Sequence, residues 1–259
     1  MGEGELRGAR RRDRGEAVST PAAEAPHPGA PGAFLHPGAP GEMPHKLLRV
    51  YQEARDALRA LDLRARCEAA GYRFDPACIS VDFLGRRFLL DTSSGELEPE
   101  GVLSETSVGK ADADRFAPAL LAHFTDRILI LHYLARTTGA YLSGRVVGFD
   151  QLAGGRFYGS AFRKRTEQPL ADLFGQDPGR LAAAAGKIGG VPGQAGSASV
   201  LLWPFPKVPM TLVVWPGEDE IPANGRVIFD DTAEEHLSTE DIAVLGDQVV
   251  RRLKELSAE

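Results

Sequence analysis

Two clusters of side chains in the last quarter of this 259-residue chain have the types and spacing to do chemistry. The first is acidic. Glu218, Asp219 and Glu220 follow Trp215, and Asp230, Asp231, Glu234, Glu235 and His236 follow the run RVIF. Carboxylates at strand ends hold Mg²⁺ or Ca²⁺, or work with an imidazole as acid and base. Asp230, Asp231 and His236 are therefore the candidate catalytic residues. The same side chains also have a structural use. An Asp that ends a strand opens a turn by accepting backbone N–H bonds, and the remaining carboxylates form a solvated rim. If the two flanking strands pair as a hairpin, Asp230 falls near the start of the Met210 strand and away from Glu218.

The second cluster is aromatic and proline-rich, WPFPKVP from Trp203 to Pro209. Trp203, Phe205 and Trp215 can wall a groove stiffened by the prolines, with Lys207 meeting an anionic ligand; tryptophans at strand ends also serve as lids over a core. Gly154-Gly155-Arg156 makes a sharp turn that presents backbone N–H groups and a guanidinium to an anion. Lys187 is the one charge on the glycine-dense loop GKIGGVPG. Trp203, Lys207, Trp215, Arg156 and Lys187 form the candidate ligand-binding set, and Arg163 to Arg165 offers a basic face. His132, inside ILILHYL, reads as a packed histidine, and His123 is too far round the same helix to share a ligand with it. No phosphate loop, nucleophile elbow or zinc signature occurs, so no metal site is expected.

Composition bounds these readings. Hydrophobic residues make up 43% and charged residues 25%, as in globular proteins, and the formal charge of -6 argues against a nucleic-acid partner. No apolar run reaches the ~18 residues of a membrane span, and no secretory signal opens the chain. Cytoplasm is the expected compartment. Cys67 and Cys78 are the two cysteines, read as reduced thiols. Residues 1–44 carry two HPGAPG units and few large apolar groups, which predicts a disordered tail.

The elements that must position the candidates follow from period and punctuation. Helical spacing predicts a helix from Lys46 to Ala70, capped by Gly71. Alternation from Cys78 to Asp91 predicts a hairpin turning at Gly85-Arg86. A greasy helix is expected from Pro118 to Thr138, then a short strand from Val146 to Phe149. Helical stretches are expected over Gly159–Gln168, Leu170–Gly175 and Pro178–Ile188. Ala198–Trp203, Met210–Trp215 and Arg226–Phe229 read as strands, the last entered through a tight Asn224-Gly225 turn. Ser238 opens a closing helix that runs to about Leu256. The expected fold is α+β: a mostly antiparallel sheet covered by several helices, with residues 45–257 forming a single domain.

Taken in order, ILILHYLARTTGAYLSGRVVGFDQLAGGRFYGSAFRKR and LWPFPKVPMTLVVWPGEDEIPANGRVIFDDTAEEHLSTEDIAVLG resemble the prokaryotic family catalogued as domain of unknown function 3786. The resemblance spans about Lys46 to Leu256. It implies relatives in anaerobic bacteria and archaea, some with an added cysteine-rich iron–sulfur segment. This chain departs there, because Cys67 and Cys78 cannot supply such a cluster. The resemblance carries over no catalytic residues and specifies no cofactor. Two function classes follow. One is a binding or accessory module that docks a partner protein or a small anionic cofactor. The alternative is a hydrolase- or transferase-like enzyme using Asp230, Asp231 and His236, with or without a divalent cation.

Overall fold

Helix α1, Met43–Arg59, buries Leu47, Tyr51, Ala54 and Leu58 along one stripe. The structure, a computed structural model, describes residues 43–101, 113–196 and 198–258. The expected tail lies outside these residues, except that Met43 and Pro44 already belong to α1. The single helix expected from Lys46 to Ala70 is instead broken. Asp62 stops it and caps a second helix, α2 (Leu63–Ala70), by accepting the N–H groups of Arg64 at 3.0 Å and Ala65 at 3.2 Å. A short carboxylate satisfies orphan donors better as a cap than inside a helix, and hydrophobic period alone does not register that break. Asp62→Ala is expected to cost about 1 kcal/mol in urea denaturation. Gly71 ends α2 at φ 80, and a Cβ there would stand 3.0 Å from the ring of Pro206.

The hairpin forms from β1 (Cys78–Phe83) and β2 (Arg86–Asp91), and β3 (Leu97–Pro99) adds antiparallel to β2. Its turn is Leu84-Gly85, one residue earlier than expected. Both have positive φ, 49° and 72°, which a two-residue hairpin connection requires. Arg86 therefore opens β2, opposite Phe83. Helix α3, Ala113–Arg136, starts before Pro118 and ends short of Thr138; Ile128 to Leu131 and Tyr133 are fully buried.

A second antiparallel sheet has the order β4-β8-β7-β6-β5. Its strands are β4 (Val146–Gly148), β5 (Val191–Pro192), β6 (Ala198–Phe205), β7 (Val208–Trp215) and β8 (Asn224–Asp230). The antiparallel pairing expected from the pattern is present, divided between two sheets. Asn224 and Gly225 already lie in β8, paired with Trp215 and Val214; the reversal is made at Glu218–Ile221. Gly225 is needed for close approach, since a Cβ would meet the Glu167 carbonyl oxygen at 2.7 Å.

Helices α4 (Gly155–Phe162), α5 (Gln168–Phe174) and α6 (Pro178–Gly186) lie between β4 and β5 in sequence, with α5 and α6 against the second sheet. Between α4 and α5 the chain widens into a π-helical turn, Arg163–Glu167, where one continuous helix from Gly159 was expected. The wide turn leaves Glu167 buried, where its Oε1 accepts the Val227 N–H at 3.2 Å. Helix α7, Thr239–Ser257, is capped by Ser238 as the sequence predicts. The two sheets meet in one apolar core at Phe205, which stacks on Tyr133 of α3 at 4.3 Å and lies 4.9 Å from Phe83 of β1. No helix among the described residues is long and apolar enough to cross a membrane.

Candidate functional site

The site begins with a defect that the prolines impose. Leu202 pairs with Met210 and Phe205 with Val208, so Trp203 and Pro204 together oppose Pro209 alone. Neither proline has an N–H to give the ladder, and the surplus residue is absorbed as a bulge. The bulge shifts the phase of β6. Without it Phe205 would fall on the same face as Trp203; with it Phe205 turns into the core, fully buried, and Trp203 points outward at 47% exposure. Among the described residues the Trp203 ring pairs with no other ring and its indole N–H makes no hydrogen bond.

Trp203 walls an open cleft of about 520 Å³ between the end of β6 and the β1–β2 turn. Leu84, Ile188 and Leu202 supply apolar lining, and Arg86 and Arg87 supply charge. Arg87 is held at the rim by Asp82 at 3.1 Å and Glu100 at 3.7 Å, which also line the cleft. Arg86 runs inward, with Nη1 3.5 Å from Asp126 of α3 and Nη2 3.2 Å from Glu255 of α7. Burial pushes the Asp126 carboxyl up to about 6, against the opposing pull of Arg251 and Arg86. His123 is half-buried near the same cluster; burial, with Arg86, Arg127 and Arg251, holds its imidazole below the usual value.

The other expected ligand-binding residues are not part of this cleft. Lys207 sits in the β6–β7 turn, where its N–H donates to Tyr133 Oη at 3.2 Å and its ammonium lies 4.7 Å from the centre of the Tyr141 ring. Trp215 stands at the opposite end of β7, about 17 Å from Met210 along an extended strand. The Lys187 ammonium donates to the Leu256 carbonyl at 2.8 Å, beside the cleft residue Ile188 but turned to the end of α7. Arg156 is exposed on α4. The turn before it is shaped by sterics, because a Cβ on Gly155 would lie 1.9 Å from the Phe149 carbonyl oxygen, and the Gly155 N–H donates to Leu152.

The acidic candidates are separated as the hairpin pattern predicts, with Glu218 at one end of the β7–β8 pair and Asp230 at the other. Asp230 caps the turn after β8. Burial opposes its ionisation, but bonds from Thr232 and from the N–H groups of Ser143 and Gly144 hold its carboxyl down to about 2. Asp231 pairs with Arg145 and accepts from Ser143. His236 shares a 2.7 Å hydrogen bond with Thr137 through Nδ1, and its buried Nε2 has none. Burial, then the nearby Lys207, keep this imidazole below its usual pKa. His236 therefore hydrogen-bonds neither aspartate. Among the described residues, no three His, Cys, Asp or Glu side chains converge as metal ligands would.

A carboxylate–imidazole pair with a buried carboxylate does occur, between residues the sequence did not link. His132 Nδ1 donates to Asp241 at 2.8 Å, and Ser238 Oγ donates to the other oxygen of Asp241 at 2.7 Å while accepting its N–H. Burial works against the charge on both; mutual attraction overcomes it, raising His132 and lowering Asp241. Cys67 is buried and Cys78 half-buried, both free, and burial pushes the Cys67 thiol up to about 11. Sequence patterns missed Arg86, Arg87 and Asp126. The signal available was a charged Asp126-Arg127 pair inside the otherwise apolar TDRILIL, which demands partners from elsewhere.

Fold and site together define an α+β protein with two antiparallel sheets and a tryptophan-walled, arginine-backed cleft between them. The family model described as Domain of unknown function (DUF3786) matches residues 62–252, and the chain belongs to that family. The matched span holds every cleft residue; α1 and the last turn of α7 fall outside it. No curated protein and no solved structure matches the chain.

Proposed function

We propose that this chain is a binding module that holds a small anionic ligand in the cleft walled by Trp203. The observation that carries this is the outward turn of an unpartnered tryptophan into a concavity backed by guanidinium groups. Its volume, about 520 Å³, falls within the range of small-molecule sites. An exposed indole in a strand loses favourable burial unless something covers it. The enzyme reading has less support, because Asp230 and Asp231 are occupied with backbone groups, hydroxyls and Arg145, and His236 faces Thr137. Arg87 has Asp82 and Glu100 to itself at the rim, whereas Arg86 shares Asp126 and Glu255 with Arg251 and Arg252.

Native mass spectrometry of anaerobically purified protein tests this directly. Wild-type protein is expected to retain a small anion that Trp203→Ala loses, while the substitution costs only about 1 kcal/mol of stability because the ring is half solvated. A ligand retained equally by both proteins would place binding elsewhere and end the proposal.

A further inference from the structure

The two cleft arginines differ in kind. Arg87 is matched in solvent, whereas Arg86 reaches a partly buried cluster in which three guanidinium groups, from Arg86, Arg251 and Arg252, share the buried Asp126 and the half-exposed Glu255. The Arg86 contacts, 3.5 and 3.2 Å, are longer than the ~2.7–2.9 Å of a tight charge-assisted bond. Oδ1 of Asp126 has no hydrogen bond, although Arg251 Nη2 stands 3.6 Å away. The cluster thus sets three guanidinium groups against two carboxylates, and Arg86, held by its longer contacts, lines the same cleft as the unpartnered indole of Trp203.

Resting on the cleft as the binding site, we infer that its ligand is a flat ring bearing one anionic group, with the ring on Trp203 and the anion on Arg86, and that Asp126 is the positioning residue that competes for Arg86. A planar guanidinium favours carboxylate-like or phosphate-like oxygens, and an indole face favours a planar ring. Competition for one guanidinium makes binding depend on the charge of Asp126. The charged groups facing that carboxyl are Arg86 from β2 and Arg251, Arg252 and Glu255 from α7; His123, on the same helix as Asp126, faces Arg86, Arg127, Arg251 and Glu255. Below about 6 the Asp126 carboxyl holds a proton and releases Arg86 to the ligand; above it, the carboxylate holds Arg86 back. Ligand binding at neutral pH therefore takes up a proton.

Naphthalene-1-sulfonate is a suitable probe, since its sulfonate stays ionised throughout, and the full chain is titrated by calorimetry from about pH 8 to about pH 5. Wild-type affinity is expected to rise about tenfold over that range, equivalent to one pKa unit of linkage. Asp126→Asn should bind at every pH as tightly as wild type does in acid, with a flat profile. Arg86→Gln and Arg86→Lys should bind weakly throughout, and uncharged naphthalene should bind weakly to wild type. Should Asp126→Asn fail to fold, the Arg86 variants and the uncharged probe still decide the matter. A pH slope that persists in Asp126→Asn assigns it to His123 and overturns the role given to Asp126. A flat wild-type profile with binding still lost in Trp203→Ala overturns the inference but leaves the cleft as the site. No binding at any pH overturns both.

Discussion

Phe205→Ala is expected to remove about 3–5 kcal/mol of folding stability, the range for emptying a large aromatic site in a core. Phe205 is fully buried and is the ring at which the two sheets meet, stacked on Tyr133 and close to Phe83. These two neighbours come from separate elements, β1 and α3, fixed by their own contacts, so the hole has little freedom to collapse. Tyr133 cannot follow the vacancy without giving up the hydrogen bond from its hydroxyl to the Ala70 carbonyl at 2.8 Å. Leu and Met at the same position should recover much of the loss, because volume rather than ring chemistry decides the outcome. Urea denaturation reads the result, and a loss below about 1 kcal/mol would mean that the sheets do not depend on this contact.

Asp241→Ala is expected to cost about 2–4 kcal/mol, because it takes the buried carboxylate away from the partly buried His132 and also strips the first turn of α7 of its partner. The loss depends on pH with a defined sign. The His132 imidazole is raised above 6.5 in the folded chain, so its share is fully present below 6.5 and disappears as pH rises through the raised value. The Asp241 carboxyl is depressed below 3.8, so its share is present above 3.8 and disappears as pH falls through the depressed value. The gap between wild type and Asp241→Ala is therefore widest from about pH 4 to about 6.5 and narrows on either side. Denaturant midpoints measured across that span check it. A gap that widens steadily into alkali would mean that the pair is held as neutral imidazole and not as an ion pair.

Local pattern accounts for much of the fold. The stripe Leu47, Tyr51, Ala54, Leu58, the alternation through Ile79, Val81 and Phe83, and the Ser238 cap all appear where period and capping chemistry place them. The misplaced boundaries share one cause. Asp62, Leu84 and Gly225 act through particular backbone geometry, namely a cap, a left-handed residue and a close approach to Glu167, none of which leaves a trace in the spacing of apolar residues. The binding candidates show the same limit. Lys207 and Trp203 are four residues apart, yet the bulge and the turn send the first toward Tyr141 and the second into the cleft.

By itself the amino-acid order determined most of the longer helices and strands, the faces they bury, and that the prolines of WPFPKVP must disturb a ladder, since each follows from interactions within a few residues. Only the tertiary structure decided that Arg86 meets Asp126 and Glu255 and lines one cleft with Trp203. They lie on four elements, and no local rule specifies which buried face packs on which other. A charge inside an apolar helix announces that a partner must exist; the packing of β2, α3 and α7 together chooses the partner.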